Sequence, residues 1–262
     1  DNLVMNKRLV FDGFVIALIV IIGTIITLKY EPILWWSAAF FVALPPVYLL
    51  LRGKFNYKKV FITAFISSLI IYIIDFLINA SKGWAIPNEQ LFLGWRIFWG
   101  TPVEEFLWFF FNFLFVILLY EHFVEREKVK KISNHFKYLI TILIIVSIIV
   151  FSILFFTNFE NQIKYVYLVT CSIYFLPPLI YVLIKNPQFI KKFFLVTIPF
   201  FLISLIHEIT ALKNGYWFFP GEYIGSITLF GLNFPFEEFF FYLVIMASSV
   251  LSYYELFFDD MK

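Results

Sequence analysis

Apolar residues run along this chain in long, nearly unbroken stretches, without the period-2 alternation of a half-buried strand. Eight stretches come near the ~20 residues that a helix needs to cross a bilayer. They lie at roughly 13–28, 33–51, 60–80, 102–123, 136–157, 163–184, 193–212 and 235–257. In hydrocarbon a backbone must satisfy its own polar groups, and stretches of this length do so as helices. The pattern predicts an all-α, polytopic integral membrane helical bundle of about eight transmembrane helices. The stretch at 14–28 follows Lys7 and Arg8, as in a secretory signal, but has no small-residue cleavage site and leads straight into the next apolar stretch. It is read as an uncleaved first span. The chain begins at Asp1, so its natural start is expected at Met5 or upstream.

Composition moves the reading from a buried core to a bilayer. Of 262 residues, 62% are hydrophobic and 15% charged, against about 45–50% and about 25% in a soluble domain. A net charge of +2 gives no footprint for nucleic acid. The one cysteine, Cys171, excludes an internal disulfide. The placement of cations is more informative. Lys7, Arg8, Arg52, Lys54, Lys58, Lys59, Arg126, Lys128, Lys130, Lys131, Lys137, Lys185, Lys191, Lys192 and Lys262 fall on one side of the predicted spans; Lys29, Lys82, Arg96, Lys164 and Lys213 fall on the other. The positive-inside rule then predicts an inner-membrane, multi-pass protein with both termini cytoplasmic.

Two places break the apolar pattern in the same way. TPVEEFLWFFFNFLF carries Pro102, Glu104 and Glu105; FPFEEFFFYLVIM carries Pro235, Glu237 and Glu238, 133 positions later. Trp84 and Pro87 (WAIP) match Trp217 and Pro220 (WFFP) at the same offset, and Pro45-Pro46 match Pro177-Pro178 at 132. The chain therefore reads as two tandem homologous halves, 1–130 and 131–262, with four spans each and a charged seam at Glu125–His135. Both Pro-x-Glu-Glu motifs face the outer half of the membrane, and the paired prolines are expected to kink the second and sixth spans.

Acids at the mouth of an apolar helix are costly, so their repetition asks for a reason. One is structural: with Thr101 as N-cap and Pro102 at the first helical position, Glu104 completes a capping box. The second copy has Phe234 in the cap position, which cannot cap. The other reason is functional. Neighbouring helical residues point about 100° apart, so one glutamate of each pair can face a cavity while the other supports it. Closely placed carboxyls share a proton, which suits acid–base work. Asp75, His207 and Glu208 lie within spans, Asp75 and His207 at an offset of 132. They are supporting candidates, with a packing role equally open.

Several chemistries are excluded by what is missing. The ten glycines contain no G-x-G-x-x-G for a flavin or nicotinamide fold. His122, His135, His207 and one cysteine have no metal-ligand spacing. No aspartate-rich diphosphate motif is present, and no lysine lies mid-span for a retinal Schiff base.

Pro102-Val103-Glu104-Glu105-Phe106 and Pro235-Phe236-Glu237-Glu238-Phe239, with Trp84…Pro87 and Trp217…Pro220 ahead of them, give the chain its likeness to a known family. Over nearly its whole length it resembles the non-flavin membrane lycopene cyclases, which include two-subunit bacterial enzymes and fused archaeal, bacterial and fungal forms. The resemblance implies an isomerase of carotenoid biosynthesis that closes linear end groups to β- or ε-ionone rings, of the type that takes lycopene to β-carotene by way of γ-carotene, without net redox change. Its expected acids are Glu104, Glu105, Glu237 and Glu238. Expected substrate-binding aromatics are Trp84, Trp99, Trp108, Phe109, Trp217 and Phe240, with Asp75, His207 and Glu208 behind them. The implied partners are a linear, lycopene-like carotenoid and membrane lipid, with room for a homo-oligomer or for association with other carotenoid enzymes. No cofactor is expected: neither flavin, nicotinamide nor metal. Two other readings use the same features, a proton-coupled transporter with internal repeats and a non-catalytic carotenoid-binding membrane subunit.

The cation asymmetry makes a direct prediction. A reporter fused after Lys262 should read as cytoplasmic, as should one inserted between residues 125 and 135. An external reading at either point contradicts the topology.

Overall fold

The apolar stretches fold as helices because intrahelical hydrogen bonds are the one local means of satisfying each backbone amide away from water. The computed structural model describes residues 7–125, 134–156 and 164–258. Its helices are α1 (Lys7–Tyr30), α2 (Leu34–Arg52), α3 (Tyr57–Ala80), α4 (Glu105–Val124), α5 (Asn134–Phe156), α6 (Val166–Lys185), α7 (Phe189–Lys213) and α8 (Glu238–Leu256). Among the described residues, seven helices are long and apolar enough to cross a membrane, which makes this a helical membrane protein. The 23-residue α5 stands where the fifth span is expected. Of the seam at Glu125–His135, residues 126–133 lie outside the described residues, as does Lys262.

Burial separates the centre of the bundle from its rim. For α8, 72% of the apolar window is buried inside the protein, and for α3 and α4 67% and 61%; for α1 the figure is 22% and for α7 28%. The middle of α4, Phe113 to Tyr120, is almost wholly buried, while Phe14, Ile21 and Ile25 of α1 lie on the exterior. An exterior of this kind suits lipid and would be a liability in water.

The prolines act differently in the two helices expected to bend. In α2 the regular helix gives way to a π turn at Ala39–Ala43, just before Pro45-Pro46. Those two residues have no amide hydrogen to offer the preceding turn. In α6 the helix runs through Pro177 and Pro178 without interruption.

Two short hairpins escaped the sequence pattern. β1 (Arg96–Ile97) pairs antiparallel with β2 (Thr101–Pro102), and β3 (Ser226–Leu229) with β4 (Leu232–Pro235). The first turns through Gly100 at φ 84°; the second turns through Phe230 and Gly231, at φ 52° and 80°, the positive pair of a two-residue hairpin. Each hairpin ends on the proline of a Pro-x-Glu-Glu motif. Pro102 is thus the end of a strand, not the first residue of a helix, and Thr101 cannot cap.

The opposite end of the bundle is held by buried ion pairs. Asp12 of α1 accepts from the Tyr48 hydroxyl at 2.6 Å and from Arg52 Nε at 2.8 Å, and its other oxygen lies 2.9 Å from His122 Nε2. This ties α1, α2 and α4 together. Nearby, α4 and α8 exchange hydrogen bonds: Tyr120 donates to Glu255 at 2.6 Å, and Tyr254 donates to Glu121. Lys59 lies 3.7 Å from Glu121, and Lys192 pairs with Glu125.

Asp12→Ala should lower the unfolding free energy in detergent by about 1–3 kcal/mol, since it leaves charged partners without an acceptor. An unchanged melting temperature would contradict a structural role for this cluster.

Candidate functional site

The site is built on the two segments that follow α3 and α7. Ala85 and Phe218 form an antiparallel bridge, each amide donating to the other's carbonyl at 2.9 and 3.1 Å. This joins the WAIP and WFFP segments side by side. The approach is close: a Cβ on Gly221 would come within 3.1 Å of the Gly83 Cα. The Tyr223 hydroxyl donates to the Gly83 carbonyl, and its burial raises its pKa above the ordinary tyrosine value. Arg96 holds the first hairpin against the same region, donating to Asn88 Oδ1, the Gly100 carbonyl and the Ile86 carbonyl at 2.8, 2.7 and 2.5 Å.

Each Pro-x-Glu-Glu divides its acids in the same way. Glu104 Oε1 accepts from the Leu93 amide at 2.5 Å, and Glu237 Oε1 accepts from the Ile224 amide at 2.8 Å. The first acid of each pair therefore ties down the chain that leads into its hairpin. No capping box forms at Glu104: it occupies the N-cap position of α4 itself and makes no side-chain cap. The second acids, Glu105 and Glu238, line one cavity. Its other walls are Leu34, Trp35, Trp84, Ile86, Trp108, Phe109, Trp217 and Phe219.

A second cavity shares Trp84, Trp108, Phe109 and Glu238 with the first and adds Asp75, Tyr167, Cys171 and Tyr242 among its walls. Behind each glutamate stands another acid. Asp75 faces Glu105, Asn79 and Trp84, although neither of its oxygens has a hydrogen-bond partner of ordinary geometry. Glu208 faces Glu238 and accepts from the Trp217 indole at 3.0 Å. The position equivalent to Asp75 is therefore Glu208, at the offset of 133 that also relates the glutamates and tryptophans. The pairing of Asp75 with His207 is corrected on this geometry.

His207 has a different setting. It stacks on Phe41 with ring centroids 4.7 Å apart and meets the edge of Trp217 at 5.4 Å, away from the walls of both cavities. Phe240 is also off the cavity, stacked on Phe236. It lies two residues past Glu238, within the wide turn of Glu238–Ile245, and so on another side of the helix. The side chain of Trp99 lies outside the described residues.

Two side chains that matter here carried no sequence signal. The Tyr167 hydroxyl donates to Glu238 Oε2, and its ring meets the edge of Trp84 at 5.3 Å. Trp35 lines the cavity from the start of α2. At 133 positions each meets a leucine, Trp35 meeting Leu168 and Tyr167 meeting Leu34, whereas at the offset of 132 that relates the proline pairs of these same helices Trp35 and Tyr167 match each other. Among the described residues no group of His, Cys, Asp and Glu is arranged to hold a metal ion.

Chemically, this is an apolar, aromatic-walled space with two carboxyls on its surface and two more behind them. It can hold a proton, transfer it to an apolar guest and take one back. Comparisons of the chain with protein-family models, with curated proteins and with solved structures find no match, so the functional reading rests on the residues themselves.

Proposed function

We propose that the protein is a cofactor-independent carotenoid cyclase of the lycopene cyclase type, built from two tandem halves, with its site toward the outer face of the membrane and both termini in the cytoplasm. One observation carries the reading: Glu105 and Glu238 line a single cavity whose other walls are almost wholly aromatic and aliphatic. An acyclic polyene end group is apolar and dissolves in the bilayer, so it matches such walls. Ring closure needs a proton donor, a proton acceptor and protection of a carbocation from water.

In this reaction a carboxyl protonates the terminal double bond and leaves a tertiary cation. The electrons of an internal double bond then close the ring, and loss of a ring proton gives the ionone. One proton enters and one leaves, so the product is an isomer of the substrate. Trp84, Trp108, Phe109 and Trp217 offer π faces that stabilise a passing cation by roughly 0.5–2 kcal/mol each. Glu104 and Glu237, tied to backbone amides, hold the hairpins in place. The positions of the acids favour this reading over transport. Glu105 and Glu238 begin their helices, and Asp75 and Glu208 each lie five residues from a helix end, whereas transporter sites lie near the bilayer midplane.

The test is expression in a lycopene-accumulating bacterium with analysis of the pigments formed. Monocyclic and bicyclic products are expected from the wild-type chain. Glu105→Gln and Glu238→Gln should each lower product per folded protein by about 10²–10⁴-fold, the value of general acid–base catalysis. Glu104→Gln and Glu237→Gln keep a carbonyl acceptor for the Leu93 and Ile224 amides and should retain turnover within about tenfold. Near-normal turnover in all four variants would make the glutamates structural and the reading wrong.

A further inference from the structure

The two glutamates share a cavity but not an environment. Glu105 faces the second carboxyl of Asp75, and its Oε1 is buried without a partner among the described residues. Its other oxygen meets Asn79 Nδ2 at only 3.5 Å. Glu238 accepts a hydrogen bond from the Tyr167 hydroxyl, and Glu208 beside it is engaged by the Trp217 indole. Both glutamates face a second carboxyl, but the donors differ. Asp75 and Glu105 have only the 3.5 Å Asn79 contact and keep a proton between them, whereas the Tyr167 hydroxyl and the Trp217 indole aimed at Glu238 and Glu208 favour the anion. The asymmetry is written into the chain: Trp35, which matches Tyr167 at the offset of the paired prolines, makes no side-chain hydrogen bond among the described residues, and the counterpart of Asn79 is Leu212.

Resting on the cyclase reading above, we infer that the halves form one composite site with divided roles. The Asp75–Glu105 pair gives the proton, and Glu238, positioned by Tyr167, removes one. Glu105 loses its proton to the inner, singly substituted carbon of the terminal double bond, and the outer, dimethyl-bearing carbon becomes the tertiary cation. The ring C–C bond then forms from an internal double bond, and the positive charge passes to a ring carbon. Glu238 takes a proton from the adjacent ring carbon, and the freed C–H electron pair becomes the ring double bond. Glu105 ends as the anion and Glu238 as the acid, and transfer of one proton resets them. Each turnover closes one ring, so a substrate with two ends must be released and rebound in reverse, and the monocyclic product appears first.

The experiment uses membranes containing the full chain, an added acyclic carotenoid and deuterated buffer, with mass spectrometry of both product and recovered substrate. Wild-type membranes should add one deuterium per ring. Glu238→Gln should form rings at least about 10²-fold more slowly while returning deuterium-labelled polyene, because protonation proceeds and reverses. Glu105→Gln should give neither rings nor label. Tyr167→Phe should lower kcat about tenfold, leave KM unchanged and put label into recovered polyene. A tyrosine that only packs would leave that polyene unlabelled, and this variant carries the test if Glu238→Gln does not fold. Label from Glu105→Gln, or none from either Glu238→Gln or Tyr167→Phe, overturns the division of roles. If each glutamate variant keeps about half the wild-type rate, the halves work independently and the composite site is wrong. Absence of rings from wild-type membranes overturns the cyclase reading itself, a result distinct from any pattern among the variants.

Discussion

A carboxyl removed from water near hydrocarbon has to be met by a donor, a cation or another carboxyl, and much of this protein is arranged to provide one. At one end Glu104 and Glu237 receive backbone amides from the chain entering each hairpin. This dictates where the hairpins can lie and so where the cavity closes. Glu238 receives a tyrosine hydroxyl and Glu208 an indole. At the other end Asp12 collects a tyrosine, an arginine and a histidine. The exception is then informative. Among the described residues Asp75 stands apart, with neither oxygen in a hydrogen bond of ordinary geometry and only the Glu105 carboxyl, Asn79 and Trp84 facing it beside an open space, and an acid kept in that condition suits a guest that takes or returns a proton.

The spans were legible from hydrophobic run length alone, because the bilayer sets the length and the backbone must close on itself. Their observed ends differ from the apolar limits by a few residues, as where the Asn56 side chain caps the start of α3. The division of labour within each acidic pair was also legible, since neighbouring helical residues cannot face one cavity. The hairpins were not: each strand has only two to four residues, too few for an alternating pattern to emerge from aromatic surroundings. With them went the capping box, because sequence spacing alone cannot tell whether Pro102 begins a helix or ends a strand. Tyr167 was invisible for a third reason. It sits in an apolar run far from either acidic motif, and its role appears only when α6 is packed against Glu238.

The aromatic content has a similar split. Trp84, Trp108 and Trp217 were singled out for standing near the acids, and all three reach the cavity wall. Phe240 was chosen on the same ground and faces elsewhere, because nearness along a helix is not nearness around it. Trp35 reaches the wall from a different helix altogether. An aromatic-rich sequence thus supplies many candidates of equal merit, and helix rotation selects among them.

Rotation also explains the wider turns in the central helices. Fifteen positions separate Glu105 from Tyr120 in α4, and sixteen separate Glu238 from Tyr254 in α8. One surplus residue in an ordinary helix would turn everything beyond it by about 100°. Tyr254 would then lose Glu121, or Glu238 would lose the cavity. In α8 the π turn of Glu238–Ile245 lies between the two groups, whereas in α4 the π turn of Tyr120–Val124 begins only at the tyrosine. A π turn accommodates an extra residue without propagating the rotation. The wide turn in α8 therefore reconciles two demands on one helix: a carboxyl facing the cavity at its start, and a tyrosine facing Glu121 of α4 near its end.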